Sequence, residues 1–276
     1  TLGVNLKTVY LGDEYIEMLK NPKHGFGSGM NPCIDCRAMM FQAAKKHMEE
    51  IGADFIISGE VLGQRPMSQH GPALKTIEKE SGLEGKIVRP LSAALLPPTD
   101  PEKNGLIKRE NLGMIKGRSR KPQLQMAREY EIENPPNAGG GCLLTDPAFA
   151  IRAKDLFKHT ETPTTNDIDL LKIGRHFRFD QNVKLVVGRN KDENEVIKAL
   201  ALPDDVLLEA QDHVGPVSLL RGKELEKFES LAAAITLRYS DAPKDKEGIV
   251  IAEKGKNRAN LSIMSAEEPS YLKYRI

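Results

Sequence analysis

Three cysteines are the residues of this sequence best suited to chemistry. Cys33 and Cys36 form a C-x-x-C pair, a spacing that lets two sulfurs reach one metal ion or cluster. The pair opens a predicted helix, and a helix N-terminus stabilises the thiolate that binds metal or acts as a nucleophile. Cys142 ends a glycine-rich loop, 134–142, in which backbone can approach a ligand closely. Asp35 is predicted either to act at this site or to cap the helix.

Four interpretations of the cysteines remain open at this point. They are ordinary reduced thiols, a zinc site completed by His24 or His47, a redox-active pair, and an iron–sulfur cluster held by three cysteines with one iron open to an exogenous ligand. The odd, low count excludes a disulfide framework and suits a reducing compartment, which predicts a cytoplasmic location.

The first part of the chain alternates between strand-like and helix-like segments. The predicted strands are Leu6–Leu11, Ala53–Ser58 and Lys86–Leu91, and the predicted helices are Asp13–Lys20, Cys36–Ile51, Pro72–Ser81, Ser119–Tyr130 and Ala148–His159. This rhythm predicts an α/β fold with an open, mostly parallel sheet, in which ligands bind beyond the carboxyl ends of strands. Ser58, Gly59 and Glu60 end such a strand and are candidate nucleotide contacts.

A linker is predicted at 160–166, where the sequence reads TETPTTN. It separates a first domain, 1–159, from a second domain, 167–276. Short strand-like runs and one strong helix predict that the second domain is a smaller α+β domain. The runs are Lys184–Gly188, Val206–Ala210, Val217–Leu220, Gly248–Ala252 and Ala259–Met264, and the helix is Glu224–Arg238.

The net charge of +1 conceals two basic stretches. Residues 106–128 hold seven Lys or Arg against one acidic residue, and residues 172–191 hold six against one. Either stretch could be a solvated face or could contact an anionic backbone. The first includes Arg118, Ser119, Arg120 and Lys121, which could hold ATP phosphates because Ser119 opens a predicted helix. The second includes Arg175, Arg178 and Arg189, the predicted RNA contacts. No apolar run reaches the length of a membrane span, so no membrane partner is predicted.

Several longer motifs resemble the PP-loop tRNA thiolation enzymes, both the 2-thiouridylases (MnmA/TrmU type) and the ThiI-like proteins. The motifs are NPCIDC (31–36), ADFIISGEVLG (53–63), QRPMSQ (64–69), GRSRK (117–121) and AGGGCLLTD (138–146). In addition, GRHFRF (174–179) and LVVGRNKDEN (185–194) resemble the NFACT RNA-binding module. The resemblance also marks Arg65 and Gln69, in the loop after the second strand, as candidate RNA contacts.

The resemblance implies a tRNA sulfurtransferase that makes thiouridine. In that chemistry ATP, with Mg, adenylates a uridine carbonyl oxygen, and a sulfur nucleophile displaces AMP. Cys33, Cys36 and Cys142 would hold a [4Fe–4S] cluster whose open iron carries sulfide. The implied fold is PP-loop, adenine nucleotide alpha hydrolase-like, followed by an NFACT-like domain. The implied partners are tRNA and sulfide or another sulfur donor, and a homodimer is left open.

One departure from the family and two alternatives accompany this hypothesis. The SGGxDS phosphate loop of the family does not occur in this sequence. We therefore expect either a fragment without its first βα unit or a protein that has lost ATP activation. The alternatives are a persulfide thiolase, with Cys142 carrying sulfur and Cys33 or Cys36 resolving it, and a non-catalytic RNA-binding protein with a zinc or redox site.

Overall fold

A computed structural model of the chain describes residues 3–135 and 142–276. The chain forms two compact units, Thr1–Asp146 and Pro147–Ile276. This division precedes helix α6 (Pro147–His159), whereas the linker was predicted after it, at 160–166. Part of that predicted linker is helical, because the Thr164 hydroxyl caps a short helix, α7 (Thr165–Leu170).

The first unit is built around helix α2 (Cys33–Glu50), which packs against helix α3 (Gly71–Ser81). Two short strands, β1 (Ile56–Ile57) and β2 (Ile87–Val88), pair in parallel beside these helices. The buried members of its core are Phe41, Met48, Ile77, Leu83 and Ile87. Of the apolar residues whose spacing predicted α2, Met48 is in this core, whereas Met40 and Ile51 are exposed. The other helices of this unit are α1 (Gly12–Lys20), α4 (Asp100–Lys103) and α5 (Lys121–Glu129).

The predicted open parallel sheet is reduced, in the described residues, to the β1–β2 pair and one parallel bridge between Leu62 and Lys116. The predicted first strand, Leu6–Leu11, is not a strand. Its side chains are largely exposed, with Leu6 at 91%, and no neighbouring strand pairs with its backbone in the described chain. A strand requires such a partner for its N–H and C=O groups, which an apolar run cannot supply by itself.

The second unit contains a six-stranded antiparallel sheet in the order β3-β4-β6-β5-β7-β8. Its strands are β3 (Arg175–Arg178), β4 (Lys184–Val187), β5 (Val206–Ala210), β6 (Val217–Arg221), β7 (Glu247–Lys254) and β8 (Asn257–Met264). Helix α9 (Glu229–Arg238) packs on the sheet, while α8 (Lys191–Leu200) and α10 (Glu268–Leu272) complete the unit. Phe177 is fully buried, and its ring meets that of Tyr271 edge-on at 5.9 Å.

The α+β character of the second unit and five of its six strands match the sequence-based expectation. Strand β3 was missed, because it begins and ends with the charged residues Arg175 and Arg178, which flank the buried His176 and Phe177. No helix in the described ranges is both long and apolar enough to cross a membrane.

Candidate functional site: a cavity lined by three cysteines

The structure brings all three cysteines to one cavity of about 270 Å3 in the first unit. Cys33 and Cys36 reach it from the first turn of α2, and Cys142 reaches it from the turn that precedes a 3-10 helix, Leu143–Thr145. Arg37 and Arg65 also line this cavity, so cationic side chains accompany the thiols. The cavity therefore joins residues more than a hundred positions apart in the sequence.

A backbone contact holds the two cysteine segments together. The Met30 N–H donates to the Leu144 carbonyl oxygen at 2.9 Å. Gly29 permits this approach, because a Cβ at that position would lie 2.3 Å from the same carbonyl oxygen. The GFGSG stretch, 25–29, is therefore a close-packing element beside the cysteines, and residues 136–141 of the predicted glycine-rich loop lie outside the described residues.

Two side chains donate hydrogen bonds to the sulfurs. The Asn31 amide nitrogen lies 3.1 Å from the Cys33 sulfur, and its carbonyl oxygen accepts the Gly29 N–H at 3.1 Å. The Tyr15 hydroxyl lies 3.8 Å from the Cys36 sulfur. Hydrogen bonds of this kind adjust the potential of a sulfur-ligated centre. Sequence reasoning missed both donors, since neither residue has a spacing that marks it.

The pKa of Cys36 is shifted in the direction opposite to the one expected for a thiol at a helix N-terminus. Burial raises the pKa of Cys36, and the Tyr15 hydrogen bond and the Arg37 charge offset only part of that effect. Burial and the nearby cysteine sulfurs likewise raise the pKa of Tyr15, so its hydroxyl keeps its proton and acts as a donor. The prediction of a depressed pKa, as for an activated thiol at this position, is wrong for Cys36.

The three cysteine sulfurs are donors of the type that binds either a zinc ion or an iron–sulfur cluster. A single zinc ion with Zn–S bonds of about 2.3 Å would require sulfurs roughly 3.8 Å apart. Within residues 3–135 and 142–276, no group of three or more His, Cys, Asp or Glu is arranged around one such ion. The two histidines considered for zinc lie elsewhere: His47 pairs with Lys7 and Glu50, and His24 faces Glu80 at 3.8 Å.

Asp35 stabilises the loop beside the cavity. Its two carboxylate oxygens accept the backbone N–H groups of Lys23 and His24, at 3.0 and 3.1 Å. These bonds anchor the turn that leads into the GFGSG stretch. The expected structural role of Asp35 was to cap its own helix, α2. Its carboxylate oxygens instead accept hydrogen bonds from the loop that precedes this helix.

The predicted nucleotide edge at Ser58, Gly59 and Glu60 contains a buried ion pair. Glu60 is 2% exposed, and its carboxylate accepts the Nε–H of buried Arg89 at 3.0 Å. Arg37 lies 3.7 Å from the other oxygen of Glu60, which connects the cysteine helix to this strand end. Arg89 was missed, although its position directly after β2 parallels that of Ser58–Glu60 after β1.

The GRSRK segment begins next to the same strand end. The Gly117 N–H donates to the Leu62 carbonyl oxygen at 2.7 Å. Helix α5 begins at Lys121 rather than at Ser119, and the Ser119 hydroxyl accepts the Lys121 N–H at 3.4 Å. Arg118, Ser119 and Lys121 are exposed, and Arg120 is half-buried. The two segments predicted to hold ATP are therefore neighbours.

The two residues predicted to contact RNA in the first unit differ in position. Arg65 lines the cysteine cavity. Gln69 is buried at 3% exposure, its backbone bonds to Arg65 and Gly63, and its side-chain oxygen has no hydrogen-bond partner in the described structure. Only Arg65 is therefore placed where a substrate entering the cavity would meet it.

Two arginines of the basic stretch 172–191 pair with acids from other elements. Arg178 forms a two-pronged pair with Asp155 of α6, with N–O distances of 2.6 to 3.2 Å. Arg189 pairs with Glu193 of α8. Arg175 lies 4.6 Å above the Tyr239 ring and donates to the Gly188 carbonyl oxygen. The net positive charge that this stretch presents on the surface is therefore smaller than the charge counted in its sequence.

Comparison with known proteins finds a family match within the second unit. Residues 174–275 match the family model described as the NFACT protein RNA binding domain. No curated protein has a significant sequence match to this chain. A solved structure, the C-terminal of the fibronectin/fibrinogen-binding protein from Streptococcus suis, aligns over 88% of this chain and 96% of its own at 13% identity, with a TM-score of 0.33. The predicted similarity to an NFACT RNA-binding domain is confirmed, and the PP-loop resemblance of the first unit stays a prediction.

Proposed function

We propose that this protein binds tRNA through its second unit and transfers sulfur to a uridine at the three-cysteine cavity of its first unit. The observation that carries the proposal is the meeting of Cys33, Cys36 and Cys142 at one cavity, which are all the cysteines of the chain. The match of residues 174–275 to an RNA-binding domain supports the RNA substrate.

Cys33, Cys36 and Cys142 would hold a [4Fe–4S] cluster, which when bound supplies an open iron to carry the transferred sulfur. Asn31 and Tyr15 would orient the two C-x-x-C sulfurs by the hydrogen bonds described above. Arg37 and Arg65 would attract anionic reactants into the cavity, because their charges line it.

Activation of the uridine would use the strand ends beside this cavity. Oxygen is a poor leaving group, so its replacement by sulfur requires prior adenylation by ATP with Mg. The segment 117–121 would bind phosphate through exposed cations and the N-terminus of α5. Glu60 and Arg89 would hold the strand ends in place as a buried pair.

Anaerobic purification of the full chain tests the cysteine site. We expect about four iron and four sulfide per chain, and loss of both in Cys33→Ser, Cys36→Ser and Cys142→Ser. Met40→Leu is a matched control, since it removes a different sulfur from the same cavity lining. Thionucleoside formation without iron, when ATP is supplied with a persulfide donor and a thiol reductant that restores the cysteines, would favour the persulfide mechanism and overturn the cluster.

The RNA proposal is tested by tRNA binding at several salt concentrations. We expect Arg175→Gln/Arg189→Gln to weaken binding and to lower the salt slope, because each cation lost removes one counterion-releasing contact. Arg178 is left intact because its pair with Asp155 is largely buried, with the Arg178 side chain at 15% exposure, whereas the Arg189 side chain is 48% exposed. The control is Lys198→Gln, which removes an exposed cation paired with Glu209 in the same unit. Equal binding by wild type and the double variant would exclude these contacts.

A further inference from the structure

Three cations stand in one row across the sheet of the second unit. Arg178 of β3 is directly opposite Lys184 of β4, and Lys184 is directly opposite Arg221 of β6. Residues directly opposite one another project from the same face of a sheet, and like charges in such positions repel. This row is therefore unfavourable unless other groups compensate each charge.

The outer two cations are fully compensated. Arg178 shares both oxygens of Asp155, as described above. Arg221 donates to Asp205 at 2.7 Å and to Asp167 at 2.8 Å. Both arginines therefore satisfy the fork geometry that a carboxylate matches.

The middle cation is different. The Lys184 ammonium lies 3.9 Å from Asp155, beyond hydrogen-bond distance, and Arg178 already occupies both oxygens of that carboxylate. The Lys184 side chain is only 12% exposed, and no hydrogen bond to its ammonium is found within the residues that the structure describes. A buried cation without hydrogen bonds is costly, and the nearest acid of Lys184, Asp155 at 3.9 Å, is shared with Arg178.

A cavity of about 180 Å3 opens at this row. Arg178, Lys184 and Arg221 line it together with His159, and Asp167 is the one carboxylate among the described lining residues. Pockets for drug-sized molecules run to roughly 300–1,000 Å3, so this cavity is too small for a nucleoside. Its size and charge suit a single tetrahedral oxyanion.

We infer that this cavity binds one phosphate group, with Lys184 as its central ligand and Arg178 and Arg221 on either side. The phosphate could belong to an RNA backbone or to a free phosphate compound, since both present the same oxygens. The inference does not depend on sulfur chemistry in the first unit.

The acid–base state of Lys184 agrees with this arrangement. Burial, together with Arg178 and Arg152, lowers the pKa of Lys184 to about 7, although Asp155 and Asp167 act in the opposite direction. A bound phosphate would add negative charge beside the ammonium and raise that pKa.

The test uses the full chain in phosphate-free buffer, with inorganic phosphate as the probe. Calorimetric titration and thermal shift are measured for wild type, Lys184→Met, Lys184→Gln and the control Lys198→Met. We expect phosphate affinity to fall about tenfold or more in both Lys184 variants, as for loss of a charged hydrogen bond, and to be unchanged in the control. The two substitutions keep the test valid if one of them alters folding.

An equal phosphate response of wild type and both Lys184 variants, or no response of wild type, would overturn the inference. A parallel titration with unmodified tRNA assigns the source of the phosphate. A salt slope lower by about one in Lys184→Met would indicate an RNA backbone phosphate, and an unchanged slope with lost phosphate affinity would indicate a free phosphate compound. Failure of wild type to bind tRNA would refute the RNA proposal alone.

Discussion

Replacing Lys184 by methionine should stabilise the second unit at low pH and leave it unchanged at high pH. Methionine has a similar length and no charge, and it leaves Asp155 paired with Arg178. The substitution therefore removes the buried cation without leaving an acid unpaired.

The magnitude follows from the pKa of Lys184, which is lowered from 10.5 to about 7. Each unit of difference corresponds to about 1.4 kcal/mol, so the charged lysine costs the folded state on the order of 5 kcal/mol. Between pH 7 and 10.5 the unfolded chain holds a proton that the folded chain has released, and wild-type stability therefore rises with pH. The full cost is present below pH 7.

The other charges near Lys184 are present in both proteins. These groups are Arg152, Asp155 and His159 on α6, Asp167 on α7, His176 and Arg178 on β3, and Arg221 on β6. The stability difference between the two proteins therefore reports on Lys184 together with its coupling to these groups, such as its addition to the effect of burial in lowering the pKa of His176.

Denaturant unfolding at pH 6, 7.5 and 9 measures this effect, followed by hydrogen exchange of peptides from β4 and β6. Exchange is needed because a chain of two units can unfold in more than one step. We expect Lys184→Met to gain most at pH 6 and the gain to shrink as the pH rises. The control Lys198→Met should change stability by less than about 1 kcal/mol, as for an exposed ion pair. A variant no more stable than wild type at pH 6, or a gain independent of pH, would refute the reasoning.

Three further substitutions test the packing of each unit. Gly29→Ala should cost about 1–3 kcal/mol and lower iron content, because its Cβ would lie 2.3 Å from the Leu144 oxygen; unchanged iron would contradict the role of this contact. Arg89→Met should cost about 3–5 kcal/mol in denaturant unfolding, because it leaves buried Glu60 with only the more distant Arg37 as a partner, and adding Glu60→Gln should recover part of that loss. Phe177→Ala should cost about 3–5 kcal/mol in unfolding of the second unit, and a loss below about 1 kcal/mol would argue against its place in the aromatic core.

Local patterns located several helices, because helix formation depends on contacts within a few residues. Apolar spacing located α2, α3 and α6, and a short strand-like run located β5 at Val206–Ala210, whereas helix α8 was missed. The expectation of a parallel sheet in the first unit came from the same reasoning and was mostly wrong. Leu6–Leu11 has strand-like composition, but strand formation also depends on a neighbouring chain segment, which composition does not reveal.

Counting charges is limited in a similar way. The window 172–191 holds six cations and one acid, yet the acids that pair with Arg178 and Arg189 lie outside it, at Asp155 and Glu193. Counting within a window cannot detect partners that the fold supplies. It also could not show that Lys184 shares its nearest acid, Asp155, with Arg178.

The sequence by itself determined which chemistry is available: three thiols, two of them at a spacing that allows a shared ligand, and a segment that matches an RNA-binding domain. Only the tertiary structure decided that Cys142 joins Cys33 and Cys36, through the hydrogen bond from Met30 to Leu144. It also decided that Lys184 lies between two arginines at a cavity. The physical reason is the same in both cases, since residue types follow from the sequence, whereas distances between remote residues follow from packing and hydrogen bonds across the fold.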